Sequence, residues 1–204
     1  MFDYIIYDFD GTISDTYPVF AKAFLETASS YNITTDYDTV YKQLKISVGY
    51  ALKQYNWNDD IENVKKSFKS NHHRLARQYQ EAFPEAKEIL QYAIDHGKKN
   101  YLYTHTGKFA YEMLDKMGLT QYFEFVLDGI YGFPSKPAPD AFNFLCQKCN
   151  IDKNKAIMIG DRDIDVGAAH AAGAKGCLID TDNFYVNCDV DYRINSLLDL
   201  KHII

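Results

Sequence analysis

The sequence lacks any hydrophobic run long enough to cross a membrane, because no stretch of it approaches the roughly 18 to 20 apolar residues of a membrane-spanning helix. It also lacks a recognisable targeting segment, since its first residues include Asp3 and no basic stretch and so do not resemble a signal peptide. We therefore expect a cytoplasmic protein that does not bind membranes.

Concentrated positive charge is also missing. The 204 residues carry a formal net charge of −6, and the short basic groups at 65–66 and 72–74, including His72 and His73, are expected on a solvated helix face. A nucleic-acid-binding surface needs clustered Lys and Arg to neutralise phosphates, so nucleic acid is not an expected partner.

Cysteine is scarce, with four in the chain. Cys146 and Cys149 form a CxxC pair, but the pair lies in a segment of helical period, and no second CxxC or His pair stands at zinc spacing. A zinc site is therefore not expected. The 47% hydrophobic and 15% aromatic content does indicate a globular protein with a substantial core.

Predicted strands and helices alternate along most of the chain. The apolar segments YIIYDF, NYLYT, FEFVLDG, AIMIGD and KGCLID are predicted strands, and NSLLDLKHI is a predicted closing helix. This alternation is typical of an α/β protein with a Rossmann-like parallel sheet and helices on both faces.

One part of the chain breaks the alternation. Residues 14–82 are helical in pattern and strandless, with one helix starting after Thr16, a plausible N-cap, and a long charged helix over 59–79. We predict a core domain formed by residues 1–13 and 83–204, with an all-helical cap domain, 14–82, inserted after the first strand.

Polar residues collect where the predicted strands end. These residues are Asp8 and Asp10 after the first strand, Thr104 and His105 after the second, Lys136 in the loop after the third, and Asp161, Asp163 and Asp165 after the fourth. Ligands of open parallel sheets bind beyond the carboxyl ends of the strands, so we expect these side chains to share one cleft. Asp180 and Asp182 also follow a strand, but we interpret them as turn residues.

Phosphoryl transfer is the chemistry that fits this set. Asp8 and Asp161 can chelate Mg²⁺, which prefers oxygen ligands, and Lys136 adds a second positive charge beside the nucleophile. Thr104 and the backbone N–H groups of the turn from Asp8 to Gly11 can hold the phosphoryl oxygens. Asp10 can then serve as general acid toward the leaving group and as general base toward water.

Structural interpretations stand beside the catalytic ones. The buried carboxylates and Lys136 can form a charge network, which is costly without a bound ion. Thr104 can be a helix cap, and Asp165 can be a first-turn helix acid that the helix dipole favours, as we interpret Asp163.

Four motifs of this sequence resemble, in their order, the four motifs of the haloacid dehalogenase superfamily. They are DFDGT, Thr104, SKPAPD and GDRDID, and the resemblance covers nearly the whole chain. The helical insert is similar to the C1-type cap of its phosphoglycolate phosphatase-like and β-phosphoglucomutase-like branches. The resemblance implies an aspartyl-phosphate on Asp8 and a general acid/base role for Asp10.

The resemblance also implies a Mg²⁺ site and a phosphate site. The metal ligands would be the Asp8 carboxylate, the Asp10 carbonyl and Asp161, with Asp165 acting through water. The residues expected to bind the substrate phosphate or to orient the nucleophile are Gly11, Thr12, Thr104, His105 and Lys136, although His105 stands where many members have Asn.

The resemblance favours one reaction among several. Dehalogenases of the family lack the second aspartate of the first motif, which is present here as Asp10. Mutases of the β-phosphoglucomutase type usually have a His where Phe20 stands and an Arg in the cap that has no match here. The expected function is Mg²⁺-dependent hydrolysis of a small phosphomonoester such as phosphoglycolate or a sugar phosphate. The alternatives are a sugar-phosphate mutase and, in another class, a phospho-aspartate signalling module resembling a response-regulator receiver.

Overall fold

The computed structural model describes residues 2–204. The chain divides into two compact units, one comprising the residues up to Ser14 together with Ala82–Ile204, and the other comprising Asp15–Glu81. The first unit contains the sheet, and the second is entirely helical.

The first unit is built on a six-stranded parallel sheet in the order β3-β2-β1-β4-β5-β6. The strands are β1 (Tyr4–Tyr7), β2 (Lys99–Tyr103), β3 (Phe125–Leu127), β4 (Ala156–Gly160), β5 (Lys175–Ile179) and β6 (Tyr192–Ile194). The order runs outward in both directions from β1 and β4, so the topological switch point lies between these two strands. The predicted α/β class with a Rossmann-like sheet is therefore confirmed.

The central strands are apolar because helices cover both faces of the sheet. Ile5, Ile6 and every residue of β4 are buried, as expected for a parallel sheet that contacts no water on either face. In the register, Tyr7 of β1 stands opposite Leu102 of β2 and Ile159 of β4. The residues that follow these strands therefore emerge together at one edge of the sheet.

In the part of the chain that the structure describes, four α-helices form the helical insert, and four more alternate with the strands of the sheet unit. Those of the insert are α1 (Tyr17–Ser30), α2 (Tyr37–Ile46), α3 (Val48–Lys53) and α4 (Ile61–Tyr79); those of the sheet unit are α5 (Ala86–Asp95), α6 (Phe109–Lys116), α7 (Asp140–Cys149) and α8 (Asp163–Ala172). Within the described residues, no helix is both long and apolar enough to span a membrane.

The helical unit has an aromatic core of its own. The Phe24 ring lies 5.7 Å from Trp57 and 6.1 Å from Phe68, measured between ring centroids, and all three side chains are buried. His72 was predicted on the solvated surface, but this was wrong: it is buried on the inner face of α4, 4.5 Å from the Phe20 ring. The amphipathic period of α4 explains this, because His72 follows Phe68 by one turn.

Two features of the fold differ from what the sequence indicated. Thr16 occupies the position before α1, but its side chain makes no capping hydrogen bond and its hydroxyl accepts one from Gln80 at 3.2 Å. The predicted closing helix is present as a 3₁₀ helix, Leu197–His202. Strand β6 was not predicted, because its three residues include an exposed Tyr192 and Arg193 and give no apolar run.

A buried hydroxyl in β1 provides a test of the packing. The Tyr7 hydroxyl oxygen is buried and has no hydrogen-bond partner among the described residues. Because an unsatisfied buried polar group is destabilising, Tyr7→Phe is expected to raise the free energy of unfolding by about 1 kcal/mol. Denaturant unfolding followed by circular dichroism measures this change.

Tyr111→Phe is the matched control for this prediction. Its hydroxyl donates to the Val126 carbonyl at 3.2 Å, so its loss should lower stability by about 1 kcal/mol. A destabilised Tyr7→Phe variant would contradict the packing described here.

Candidate active site

The candidate site lies where β1, β2 and β4 end, at the switch point of the sheet. Asp8 directly follows β1, and its N–H donates to the Ile159 carbonyl of β4 at 2.8 Å, so the β ladder fixes its position. Thr104 directly follows β2 and Asp161 directly follows β4. All three residues are buried, and all three were predicted from the polar residues at strand ends.

Lys136 joins the site from the loop before α7. Its ammonium group donates to Asp8 Oδ1 at 2.6 Å, to Asp165 Oδ1 at 2.8 Å and to the Tyr103 carbonyl at 2.9 Å. An ammonium has three hydrogens, so these contacts use all of them. In this geometry Lys136 positions the Asp8 carboxylate, and a contact to a phosphoryl oxygen would have to replace one of the three bonds.

Burial and charge shift the pKa values of this pair. Burial raises the pKa of Asp8 to about 7, an effect that the positive charge of Lys136 only partly opposes. Burial also acts to lower the pKa of Lys136, but the Asp165 and Asp8 carboxylates outweigh it and raise that pKa to about 12. The lysine therefore stays positive, while the pKa of Asp8 remains above its usual value.

The residues present fit a hard divalent cation. Asp8, Asp161 and Asp165 each offer a carboxylate oxygen, and these oxygens lie within 4.8 Å of one another. The Oδ2 atom of Asp8 is buried and has no hydrogen-bond partner among the described residues. Carboxylate oxygens are the ligands that Mg²⁺ prefers in proteins, and a cation here would offset the cost of the buried charge.

Asp165 serves the helix and the charge cluster together. Its Oδ2 accepts the Arg162 N–H at 3.1 Å at the start of α8, while its Oδ1 accepts the Lys136 ammonium. The helix interpretation and the site interpretation of Asp165 thus both describe contacts that are present. Gly160 makes this arrangement possible, because a Cβ atom there would lie 2.2 Å from the Asp165 Cβ.

The segment after β2 links the first and third motifs. The Thr104 hydroxyl oxygen accepts the Thr106 N–H at 3.0 Å, so Thr104 caps this short turn and not helix α6. His105 Nε2 accepts the Lys136 N–H at 3.2 Å, and the Thr106 hydroxyl donates to Asp10 Oδ2 at 2.8 Å. The hydrogen of the Thr104 hydroxyl is not used in the bond from Thr106.

The turn after β1 contains Gly11 and Thr12, both predicted to contact the substrate phosphate, and that role stays a prediction. The Gly11 N–H, expected to contact phosphate, donates to the Ser14 carbonyl at 2.8 Å, and the Thr12 N–H donates to the Phe9 carbonyl at 3.3 Å. Gly11 has a φ of 81°, which favours glycine and turns the chain back toward Ser14. The Thr12 hydroxyl is buried without a hydrogen-bond partner among the described residues.

The loop after β5 is held together by Asp180, which was predicted as a turn residue. The buried Asp180 carboxylate accepts hydrogen bonds from the N–H groups of Phe184 at 2.8 Å and Tyr185 at 3.0 Å, and from Arg193 at 2.6 Å. Asp180 thus organises the whole loop and is more than a turn residue. Burial, and then the negative charge of Asp163, raise the pKa of the Tyr185 hydroxyl.

Comparisons with known proteins agree with this geometry. A family model described as haloacid dehalogenase-like hydrolase matches residues 5–179. A phosphoglycolate phosphatase of Aliivibrio fischeri is 28% identical over 183 residues, which is 83% of this chain and 80% of that protein.

A sugar-phosphate enzyme and a solved structure show the same likeness. The fructose-1-phosphate phosphatase YqaB of Escherichia coli is 26% identical over 186 residues, covering 83% of this chain and 92% of that protein. The crystal structure of a hydrolase from Streptococcus pneumoniae has a TM-score of 0.70 and 29% identity, over 99% of this chain and 97% of that one.

Gly160→Ala tests the close approach between β4 and α8. The added methyl group would meet the Asp165 side chain, so we expect a loss of stability of about 1 to 3 kcal/mol, the usual range for overpacking. Gly49→Ala in α3 is the control, because the nearest atom to its added Cβ lies 3.9 Å away. Thermal unfolding of both variants measures the difference; an equally stable Gly160→Ala variant would contradict the packing.

The His105 imidazole is expected to stay neutral at pH values well below the pKa of an ordinary histidine. The residue is exposed, but desolvation of its ring and the positive charges of Lys136 and Arg162 lower its pKa from 6.5 to about 4. Because the folded state binds this proton less readily than the unfolded state, His105 favours folding above pH 6.5, and this contribution is lost as the pH falls toward 4.

An NMR titration of the imidazole signals, with the His105 signal assigned from its loss in His105→Gln, measures this pKa. We expect a midpoint far below that of an ordinary histidine. A midpoint near 6.5 would contradict the lowered pKa of His105.

Proposed function

Because the chain belongs to the haloacid dehalogenase-like hydrolase family, we propose that it is a Mg²⁺-dependent phosphatase that hydrolyses a small phosphomonoester through an aspartyl-phosphate intermediate on Asp8. The observation that carries this proposal is the state of Asp8. One of its buried carboxylate oxygens is held by Lys136, and the other has no hydrogen-bond partner among the described residues.

Asp8 is the proposed nucleophile. Its Oδ2 attacks the phosphorus atom and forms an O–P bond, while the bond from phosphorus to the ester oxygen breaks. Water then attacks the phosphorus of the aspartyl-phosphate, which releases inorganic phosphate and regenerates the carboxylate. Lys136 fixes the other oxygen of Asp8, so the attacking oxygen keeps one orientation throughout.

Asp10 is the proposed general acid and base. Its carboxyl group protonates the leaving oxygen as the ester bond breaks and then accepts a proton from the attacking water. Its carboxylate is not part of the three-carboxylate cluster, and it accepts a hydrogen bond from the Thr106 hydroxyl. This separation supports different roles for Asp8 and Asp10.

Asp8 through Oδ1, Asp161 and the Asp10 carbonyl would hold Mg²⁺, so that Oδ2 of Asp8 stays available to attack phosphorus. Asp165 would contribute indirectly because both of its oxygens already accept hydrogen bonds. The ion, when bound, neutralises negative charge on the nucleophile and on the substrate phosphate. Lys136 contributes a fixed positive charge beside it.

We propose that the phosphate site is completed by hydroxyl groups and by the segment after β2. The Thr104 hydroxyl can donate to a phosphoryl oxygen, and the buried Thr12 hydroxyl lies in the turn that carries Asp8 and Asp10. His105 acts through its bond to the Lys136 main chain, which leaves its Nδ1 for the substrate.

We infer the substrate class from the relatives. The phosphoglycolate phosphatase of A. fischeri and the fructose-1-phosphate phosphatase of E. coli both act, by their names, on small phosphate esters. A small phosphorylated acid or sugar in the cytoplasm is therefore the proposed substrate. The helical unit is the proposed cap domain, with boundaries close to residues 14 and 82.

The main test uses p-nitrophenyl phosphate as a general aryl substrate. We expect the wild-type protein to release phosphate with Mg²⁺ and to lose this activity with EDTA. Asp8→Asn, which removes the nucleophile, should lower kcat at least about 10³-fold. Asp163→Asn is the matched control, because Asp163 is an exposed acid of the same segment outside the carboxylate cluster, and it should keep activity within about twofold.

Phosphate release that persists in Asp8→Asn would exclude the proposed nucleophile. Isomerisation of a sugar phosphate without matching phosphate release would instead indicate the mutase alternative. A stable phosphoprotein without turnover would indicate a signalling module.

A further inference from the structure

Asp10 must hold one orientation if it is to protonate a leaving group, because proton transfer requires hydrogen-bond distance and alignment. It lies in the turn after β1 and is only partly buried, so packing alone does not fix its carboxyl group. The Thr106 hydroxyl donates to Asp10 Oδ2 at 2.8 Å. This contact joins the turn after β1 to the segment after β2.

The main chain of Thr106 is itself held on both sides. Its N–H donates to the Thr104 hydroxyl oxygen at 3.0 Å, and its carbonyl accepts the Gly129 N–H at 3.4 Å. Gly129 in turn lies against the His105 carbonyl so closely that a Cβ atom there would be 2.2 Å away. Thr106 therefore presents its hydroxyl from a fixed backbone.

The chemistry of the two groups sets the direction of the bond. An ionised carboxylate can only accept, so the single hydroxyl hydrogen of Thr106 must point to Oδ2 of Asp10. When Asp10 takes up a proton, the same contact favours the other oxygen, Oδ1, as its site. The hydroxyl thus selects which oxygen of Asp10 carries the transferable proton.

We propose that Thr106 is a positioning residue for the general acid: it fixes the Asp10 carboxyl group so that Oδ1 delivers the proton to the leaving oxygen as the ester bond to phosphorus breaks. This inference rests on the proposed function and deepens it. Thr106 itself exchanges no proton with the substrate in this scheme.

Leaving groups of different basicity separate this role from a structural one. An alkoxide is a poor leaving group and needs a proton as it departs, whereas p-nitrophenolate departs readily without one. A variant with a misplaced Asp10 should therefore lose activity toward an alkyl phosphate and keep it toward p-nitrophenyl phosphate. General damage to the site would lower both activities together.

The experiment compares kcat/KM for the two esters, because this parameter includes only steps up to the departure of the leaving group. The variants are Thr106→Val, which removes the hydroxyl and keeps the shape, and Thr106→Ser, which keeps the hydroxyl. Both are made in the full chain with Mg²⁺ present. The alkyl ester is 2-phosphoglycolate, or glycerol phosphate if the wild type hydrolyses that ester faster.

We expect Thr106→Val to lower kcat/KM for the alkyl ester about tenfold or more and that for the aryl ester less than about twofold. Thr106→Ser should restore the alkyl activity to within about threefold of wild type. In an Asp10→Ala background, Thr106→Val should have no further effect on the alkyl ester, because the group it positions is gone.

Equal losses on the two esters, no loss on either, or failure of Thr106→Ser to restore activity would each overturn the inference. If Thr106→Val does not fold, Thr106→Ala supplies the same comparison. Loss of wild-type activity on both esters would instead refute the proposed function, and with it this inference. Wild-type turnover of the aryl ester therefore distinguishes the two failures.

Discussion

The site depends on one buried ammonium group, that of Lys136, held between two buried carboxylates. It lies 2.6 Å from Asp8 and 2.8 Å from Asp165. Burying charges is costly unless they are paired and hydrogen-bonded, and the three bonds from this ammonium meet that condition for Lys136 itself. The cluster also contains Asp161, which adds a third buried carboxylate. Three carboxylates gathered in this way make the site suited to a divalent cation.

The topology of the sheet explains why these groups meet. Strands β1 and β4 are neighbours and parallel, although about 150 residues separate them in the chain. Their carboxyl ends place Asp8 and Asp161 side by side at the switch point, where ligands of open parallel sheets bind. Lys136 arrives from the loop before α7, and Asp165 from the first turn of α8. Four separate segments of the chain therefore contribute one charged group each.

Much of this arrangement was predictable from the sequence. Asp8 and Asp161 were predictable as site residues because each directly follows an apolar strand. The order of the four motifs then predicted that Lys136 and Thr104 belong to the same site. The all-helical insert was also predictable, because its segments have a helical period and contain no strand pattern. Such predictions need only local sequence patterns and no knowledge of tertiary contacts.

The remaining features depend on contacts between distant segments. Nothing in the sequence indicates that Thr106 bonds to Asp10, that Asp180 organises the loop of Tyr185, or that Gly160 makes room for the Asp165 side chain. Strand β6 was missed because an edge strand of three residues, two of them exposed, has no apolar run to mark it. The bond from the Gly11 N–H to the Ser14 carbonyl was likewise not predictable, because it depends on the shape of the turn.

The central claim is that the carboxylate cluster needs a cation beyond Lys136. The most direct test is the thermal unfolding midpoint of the wild type and of Asp161→Asn, each with and without millimolar MgCl₂ at constant ionic strength. A cation that binds only the folded state raises the midpoint, so we predict a clear rise for the wild type and little or none for Asp161→Asn. Equal midpoints with and without Mg²⁺ in the wild type, or equal rises in both proteins, would contradict the account.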